Sequence, residues 1–132
     1  MPPAISASRA GVTPEASGHG SSGTFANNKY AMNTVTWLGH DFTVYPRSGT
    51  TWYNVGGVYI FTGVVGNQWE PYYIGRYESF LNRLPSHDRW DEAARLGATH
   101  VHALVVPLEA NRANLEEALI RACSPPLNTH FR

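Results

Sequence analysis

The stretch from Gly57 to His87, GVYIFTGVVGNQWEPYYIGRYESFLNRLPSH, constrains the fold of this chain more than any other. Aliphatic and aromatic residues alternate over Gly57–Gly63 and again over Tyr72–Gly75, which predicts two short strands with a turn between them and a helix after them. Every second side chain of a strand shares a face, so Tyr59 and Tyr73 can point into one pocket if the register brings them together. The helix predicted from about Glu78 sets Arg83 and His87 four apart, on one face for as long as helical geometry lasts. Two phenols, a guanidinium and an imidazole gathered in this way suit the holding of a phosphate.

The flanking sequence supplies the rest of a small domain. Residues 1–32 are rich in Ala, Ser, Gly and Pro and nearly empty of large aliphatics. Such a segment buries too little apolar area to offset the entropy of ordering it, so it is expected to be a disordered leader or linker before a domain over 33–132. VTWL and DFTVYP around the Gly39–His40 pair predict an added β-hairpin over about 34–46. Trp37 is read there as core packing and His40 as surface turn. Pro85 ends or kinks the helix that carries Arg83. HDRWDEAARLGA predicts a second helix turning Trp90, Ala93, Ala94 and Leu96 inward and stopping at Gly97. THVHALVVP reads as a central strand, with His100 and His102 on one face as ordinary strand residues rather than a metal pair. EANRANLEEALIRAC, residues 109–123, predicts a helix with a buried stripe of Leu115, Ala118, Leu119 and Ala122.

In that last helix the adjacent Glu116 and Glu117 diverge by about 100° around the axis. Glu117 has Arg121 four residues on, the favourable order for a surface pair. Glu116 is left as either a helix-surface carboxylate or a metal ligand or acid–base group at the pocket. Pro125 and Pro126 then end the helix and set the position of Asn128.

Composition narrows the function classes. Lys+Arg and Asp+Glu number 10 each, so bulk charge does not announce a nucleic-acid partner. All the basic residues but Lys29 are arginine, and Arg76, Arg83, Arg89 and Arg95 fall close together. They suit phosphate oxygens, or else form a solvated face neutralised by Glu78, Asp88, Asp91 and Glu92. Cys123 is the single cysteine, which excludes an intrachain disulfide and a thiolate zinc site. No apolar run is long enough to span a membrane and the N-terminus lacks the pattern of a secretion signal, so no membrane partner and a cytoplasmic site of action are expected.

Taken in order, Gly57-Val58-Tyr59, Tyr73-Ile74-Gly75, Arg83, His87, Glu116 within LEEALI and Asn128 within PLN resemble the GIY-YIG nuclease family over residues 57–128. The resemblance implies a small α/β (α+β) domain, a three-stranded antiparallel sheet flanked by helices, that hydrolyses DNA phosphodiester bonds with one Mg²⁺ or Mn²⁺. Carried over, Tyr59 and Tyr73 would orient and deprotonate the attacking water, and Arg83 would stabilise charge on the scissile phosphate. His87 would bind phosphate or assist proton transfer, Glu116 would ligate the metal, and Asn128 would support the site by hydrogen bonding. Gly57 and Gly75 would serve the backbone beside the substrate. Relatives carry a lysine three residues after the first tyrosine, where this chain has Thr62. Arg76 is therefore the cation expected to activate Tyr59 and contact substrate. The other classes weighed are a non-catalytic nucleic-acid-binding module that keeps the pocket and a structural α/β domain. If the chain is a toxin domain delivered into another cell, an inhibitory partner protein is expected to cover the pocket.

Overall fold

The computed structural model describes residues 33–128 and the backbone of a two-residue strand, β1 (Ala26–Asn27), that pairs antiparallel with β4 (Thr51–Trp52). The remainder of the segment expected to be a leader lies outside the described residues.

Two hairpins and one long-range strand build the sheet. β2 (Asn33–Trp37) and β3 (His40–Pro46) are joined by Leu38–Gly39, and β5 (Gly57–Val65) and β6 (Gln68–Tyr77) by Gly66–Asn67. All four turn residues have positive φ, from 50° to 82°, the backbone of a two-residue turn whose twist matches that of the flanking strands. β7 (His100–Val105) inserts between the hairpins, giving a five-stranded antiparallel sheet in the order β2-β3-β7-β5-β6. The expected three-stranded sheet is corrected to five strands. Val101 and Ala103 are buried on one face of β7 and His102 on the other, and the strand has a neighbour along each edge. β3 supplies the second, in the register Thr43↔Ala103 and Tyr45↔Val101.

Helices cover both faces. Tyr45, Tyr59, Phe61, Val101 and Ala103 pack with Phe80 and Leu84 of the α1 region (helix Phe80–Arg83) and with Ala93 of α2 (Trp90–Leu96). Val44, Val58, Ile60 and Ile74 point the other way, onto Leu119 and Ile120 of α3 (Glu109–Cys123). The α3 bounds are those the sequence predicts, but its buried stripe is not. Ala118 is exposed, and Arg112 and Glu116 are buried with Leu119 and Ile120. The second helix starts at Trp90, and Ala94 and Leu96 face outward; Leu96 is 48% exposed. Gly97 ends it with φ 125°, its N–H donating to the carbonyls of Ala93 and Ala94. Among the described residues no helix is long and apolar enough to cross a membrane.

One feature of this core titrates. The Trp37 indole donates to His102 Nδ1 at 3.0 Å, so the neutral ring carries its proton on Nε2, against the Trp69 ring at 4.6 Å between centroids. Burial holds His102 well below the usual histidine value of 6.5, and burial followed by the Arg83 guanidinium pushes His87 down to about 4. Below 6.5 the unfolded chain takes up protons that the folded chain refuses, so stability present at pH 7 is lost as pH falls from 6.5 towards 4. Urea unfolding at pH 7 and pH 5 is expected to show the loss, and His102→Gln, which keeps an acceptor for Trp37 without titrating, is expected to reduce it. A wild-type profile that is flat over this range contradicts the assignment.

Candidate active site

Four separate elements bring side chains to one cleft of about 470 Å³ at β6, the edge strand. β5 contributes Tyr59, β6 Tyr73, Arg76 and Tyr77, the end of α1 Arg83, and α3 Glu109 and Glu116; Glu78, just after β6, completes the wall. The register explains how both tyrosines reach it. Tyr59 pairs with Gly75 and Phe61 with Tyr73, so Tyr59 and Tyr73 are diagonal neighbours on one face, with ring centroids 6.4 Å apart. A bulge sets this phase. Phe61 faces Tyr73 but Thr62 faces Pro71, so Tyr72 is the extra residue and it leans into the same core as Tyr73.

The two motif glycines act by lacking a side chain, and neither is among the residues lining the cleft. A Cβ on Gly75 would lie 2.5 Å from the Tyr59 hydroxyl, so the phenol crosses β6 over bare backbone. A Cβ on Gly57 would lie 2.6 Å from Cζ of Phe80 and would run into the Leu104 carbonyl. Their role is close packing. Asn128 acts just as locally, on the backbone of one residue. Its Oδ1 accepts from the Ile74 N–H and its Nδ2 donates to the Ile74 carbonyl, both at 2.8 Å. These bonds imitate a neighbouring strand and fix the backbone between Tyr73 and Gly75.

His87 is placed differently from expectation. The helix ends at Arg83, where Leu84 caps it before Pro85, so Arg83 and His87 are not helical neighbours. They meet at Tyr59 instead, because the loop 84–89 folds back across the phenol. The His87 side chain is fully enclosed and does not itself line the cleft; it reaches the cleft through Tyr59. The Arg89 backbone N–H donates to Nδ1 at 3.0 Å, so the neutral ring is protonated at Nε2, which donates to the Tyr59 hydroxyl oxygen at 2.7 Å. Burial and then Tyr73 push the Tyr59 phenol above its ordinary value of 10, and the adjacent Arg83 pulls it back. Arg83 itself is half-buried and donates to Asp88 at 2.8 Å.

Arg76 is not the cation beside Tyr59; that is Arg83. Along β6, Arg76 is out of phase with Tyr73 and Gly75, so it points to the α3 face. There it donates through Nη1 to Glu116 Oε1 and through Nε to Glu109 Oε2, the second at 3.0 Å. Thr62 is buried, and its hydroxyl donates to the His100 carbonyl at 3.3 Å.

Glu116 is 7% exposed yet lines the cleft, whereas Glu117 is exposed and accepts from Arg121 at 2.8 Å. Among the described residues no group of three or more His, Cys, Asp and Glu could cage a metal ion. A cation at Glu116 would thus have one principal carboxylate, with water and phosphate oxygens supplying the rest, a ligand set that suits Mg²⁺. The oxygen donors and the size of the cleft fit such an ion. Sequence reasoning missed Tyr77, Glu78 and Glu109. Two of them carried a readable signal: Glu109 lies seven residues, about two turns, before Glu116, and Tyr77 continues the alternation Tyr73-Gly75.

The chain matches no known family model, no curated protein and no solved structure.

Asn128→Ala is expected to leave both Ile74 backbone groups without their protein partner and to cost about 1–3 kcal/mol of stability, measured by urea unfolding. Wild-type stability in this variant would mean that the clamp does not hold β6.

Proposed function

We propose that this chain is a divalent-cation-dependent phosphodiesterase with a site of the GIY-YIG type. More particularly, we read it as a DNA endonuclease. One observation carries the reading: Tyr59, Tyr73, Arg83 and Glu116, drawn from β5, β6, α1 and α3, line a single cleft, with His87 hydrogen-bonded behind Tyr59.

Each residue has a chemical part. The cleft presents Arg83 on its phenol side, where a permanently charged planar fork can meet phosphate oxygens and the charge that grows on them. Water attacks phosphorus, the bond from phosphorus to the leaving sugar oxygen breaks, one proton from the attacking water has to be removed, and the leaving oxygen takes up a proton from solvent water. Tyr59 is the group positioned to take it. As a buried phenol it is protonated at neutral pH and becomes a base only when positive charge stabilises its phenolate. Arg83 supplies part of that charge, and the His87 Nε2–H holds the oxygen in place while donating to it. Tyr73, on the same face, can orient the water. Glu116 is the carboxylate that would hold Mg²⁺ or Mn²⁺, which as a Lewis acid polarises the phosphate and lowers the pKa of water.

Plasmid incubated with the protein and Mg²⁺ is expected to be nicked, and chelator, Glu116→Ala or Arg83→Ala to abolish nicking. Tyr59→Phe keeps the ring in the core and is expected to lose about 10²–10⁴-fold in rate. The rate should rise as pH is raised above neutral, because deprotonation of a phenol with a raised pKa limits the active fraction. Binding of DNA without metal-dependent cleavage would identify a non-catalytic nucleic-acid-binding module instead.

A further inference from the structure

The cleft contains a charge relay that the roles above leave unused. Arg76 reaches from β6 to two carboxylates of α3 at once, Nη1 to Glu116 and Nε to Glu109. Glu109 is held in turn by Arg112, whose Nε donates to its Oε1 at 3.1 Å. Arg112 is buried and fixed by Nη1 donating to the carbonyls of Val106 at 2.9 Å and Pro107 at 3.0 Å. One end of the relay is therefore anchored in the loop before α3. The other end, the Arg76 side chain, is about one-third exposed and can swing.

A guanidinium on Glu116 Oε1 stands where a cation on the same oxygen would have to stand. Two positive charges held on one carboxylate repel each other strongly at this range, so a cation bound at Glu116 weakens or displaces the Arg76 contact. Arg76 can leave without losing every partner, because Glu109 grips a different nitrogen of the same fork.

We infer that Arg76 competes with the divalent cation for Glu116, and that Glu109 is the carboxylate that holds Arg76 when the cation takes its place. The inference rests on the reading of Glu116 as the cation carboxylate. Arg76 is thus a positioning residue that sets how tightly the site binds its ion, and Glu109 acts through it rather than as a metal ligand. The cleft carries a neutralised carboxylate at rest and so resists casual occupation by cations.

The test is calorimetric titration of the full chain with MnCl₂ in the absence of nucleic acid, with folding of each variant checked by thermal melting. Wild type is expected to bind Mn²⁺ in a manner lost in Glu116→Gln. Arg76→Gln is expected to bind at least about 5-fold more tightly, the lower end of usual coupling between sites. Glu109→Gln, which leaves Arg76 on Glu116 alone, is expected to bind more weakly, and this arm stands even if Arg76→Gln fails to fold. In the double variant Glu109→Gln should have no further effect, since the residue it acts through is gone. Glu116-dependent binding that Arg76→Gln leaves unchanged or weakens overturns the competition and spares the metal reading. An undiminished effect of Glu109→Gln in the double variant makes Glu109 a direct ligand and overturns its assigned role. Absence of Glu116-dependent binding from wild type and Arg76→Gln alike removes the metal reading and this inference together.

Discussion

The phenol of Tyr59 lies flat across the backbone of the sheet's edge strand, and most of what positions this site follows from that crossing. It requires Gly75 opposite Tyr59, because any Cβ there would occupy the space of the hydroxyl. It requires the β6 backbone to stay in register, which the Asn128 side chain secures at Ile74. It also requires a donor behind the oxygen. His87 is one only because the Arg89 N–H occupies Nδ1 and leaves the proton on Nε2. The bulge at Tyr72 then aligns Tyr73 with Tyr59, so that two phenols share the face.

The charges of the site are arranged by face. On the side of α1 and α2, Arg83 stands beside a phenol that burial keeps protonated. On the side of α3, Arg76 stands between two carboxylates. Burying Glu116 and Arg112 on the core-facing side of α3 is costly unless each is paired and hydrogen-bonded. Arg112 meets this condition with two backbone carbonyls and Glu109, and Glu116 with Arg76. Of these, Arg76, Glu109 and Glu116 line the cleft's second wall.

Much of this was legible in the sequence, for identifiable reasons. The period-two alternation marked both hairpins, although the first turn was expected at Gly39–His40 and lies one residue earlier, at Leu38–Gly39, with His40 opening β3; the run 109–123 marked α3 to the residue. Of the side chains named from spacing and resemblance, Tyr59, Tyr73, Arg83 and Glu116 line one cleft and His87 bonds to Tyr59, while Asn128 and the two glycines act on the backbone beside it. Other features depend on tertiary context. Local pattern does not reveal that β7 pairs with β3 as well as β5, and hence that the sheet has five strands. The bulge at Tyr72 depends on the β5–β6 register, and without that register the phase of Arg76 could not be assigned. Hydrophobic periodicity placed Ala118 inward, because it scores Arg112 and Glu116 as polar although salt bridges bury them. Helical spacing tied His87 to Arg83, whereas the two meet through a loop after Pro85.

The central claim is that the Tyr59 phenol and the Glu116 carboxylate serve the same phosphorus. The most direct test is a crystal structure of the Tyr59→Phe chain with a DNA duplex and Ca²⁺, which binds like Mg²⁺ through oxygen ligands. One backbone phosphate is expected in the cleft, touching Arg83 and sharing the cation with Glu116, with the ring at position 59 facing the same phosphorus. DNA seated on another surface, or a phosphate in the cleft with the cation elsewhere, would contradict it.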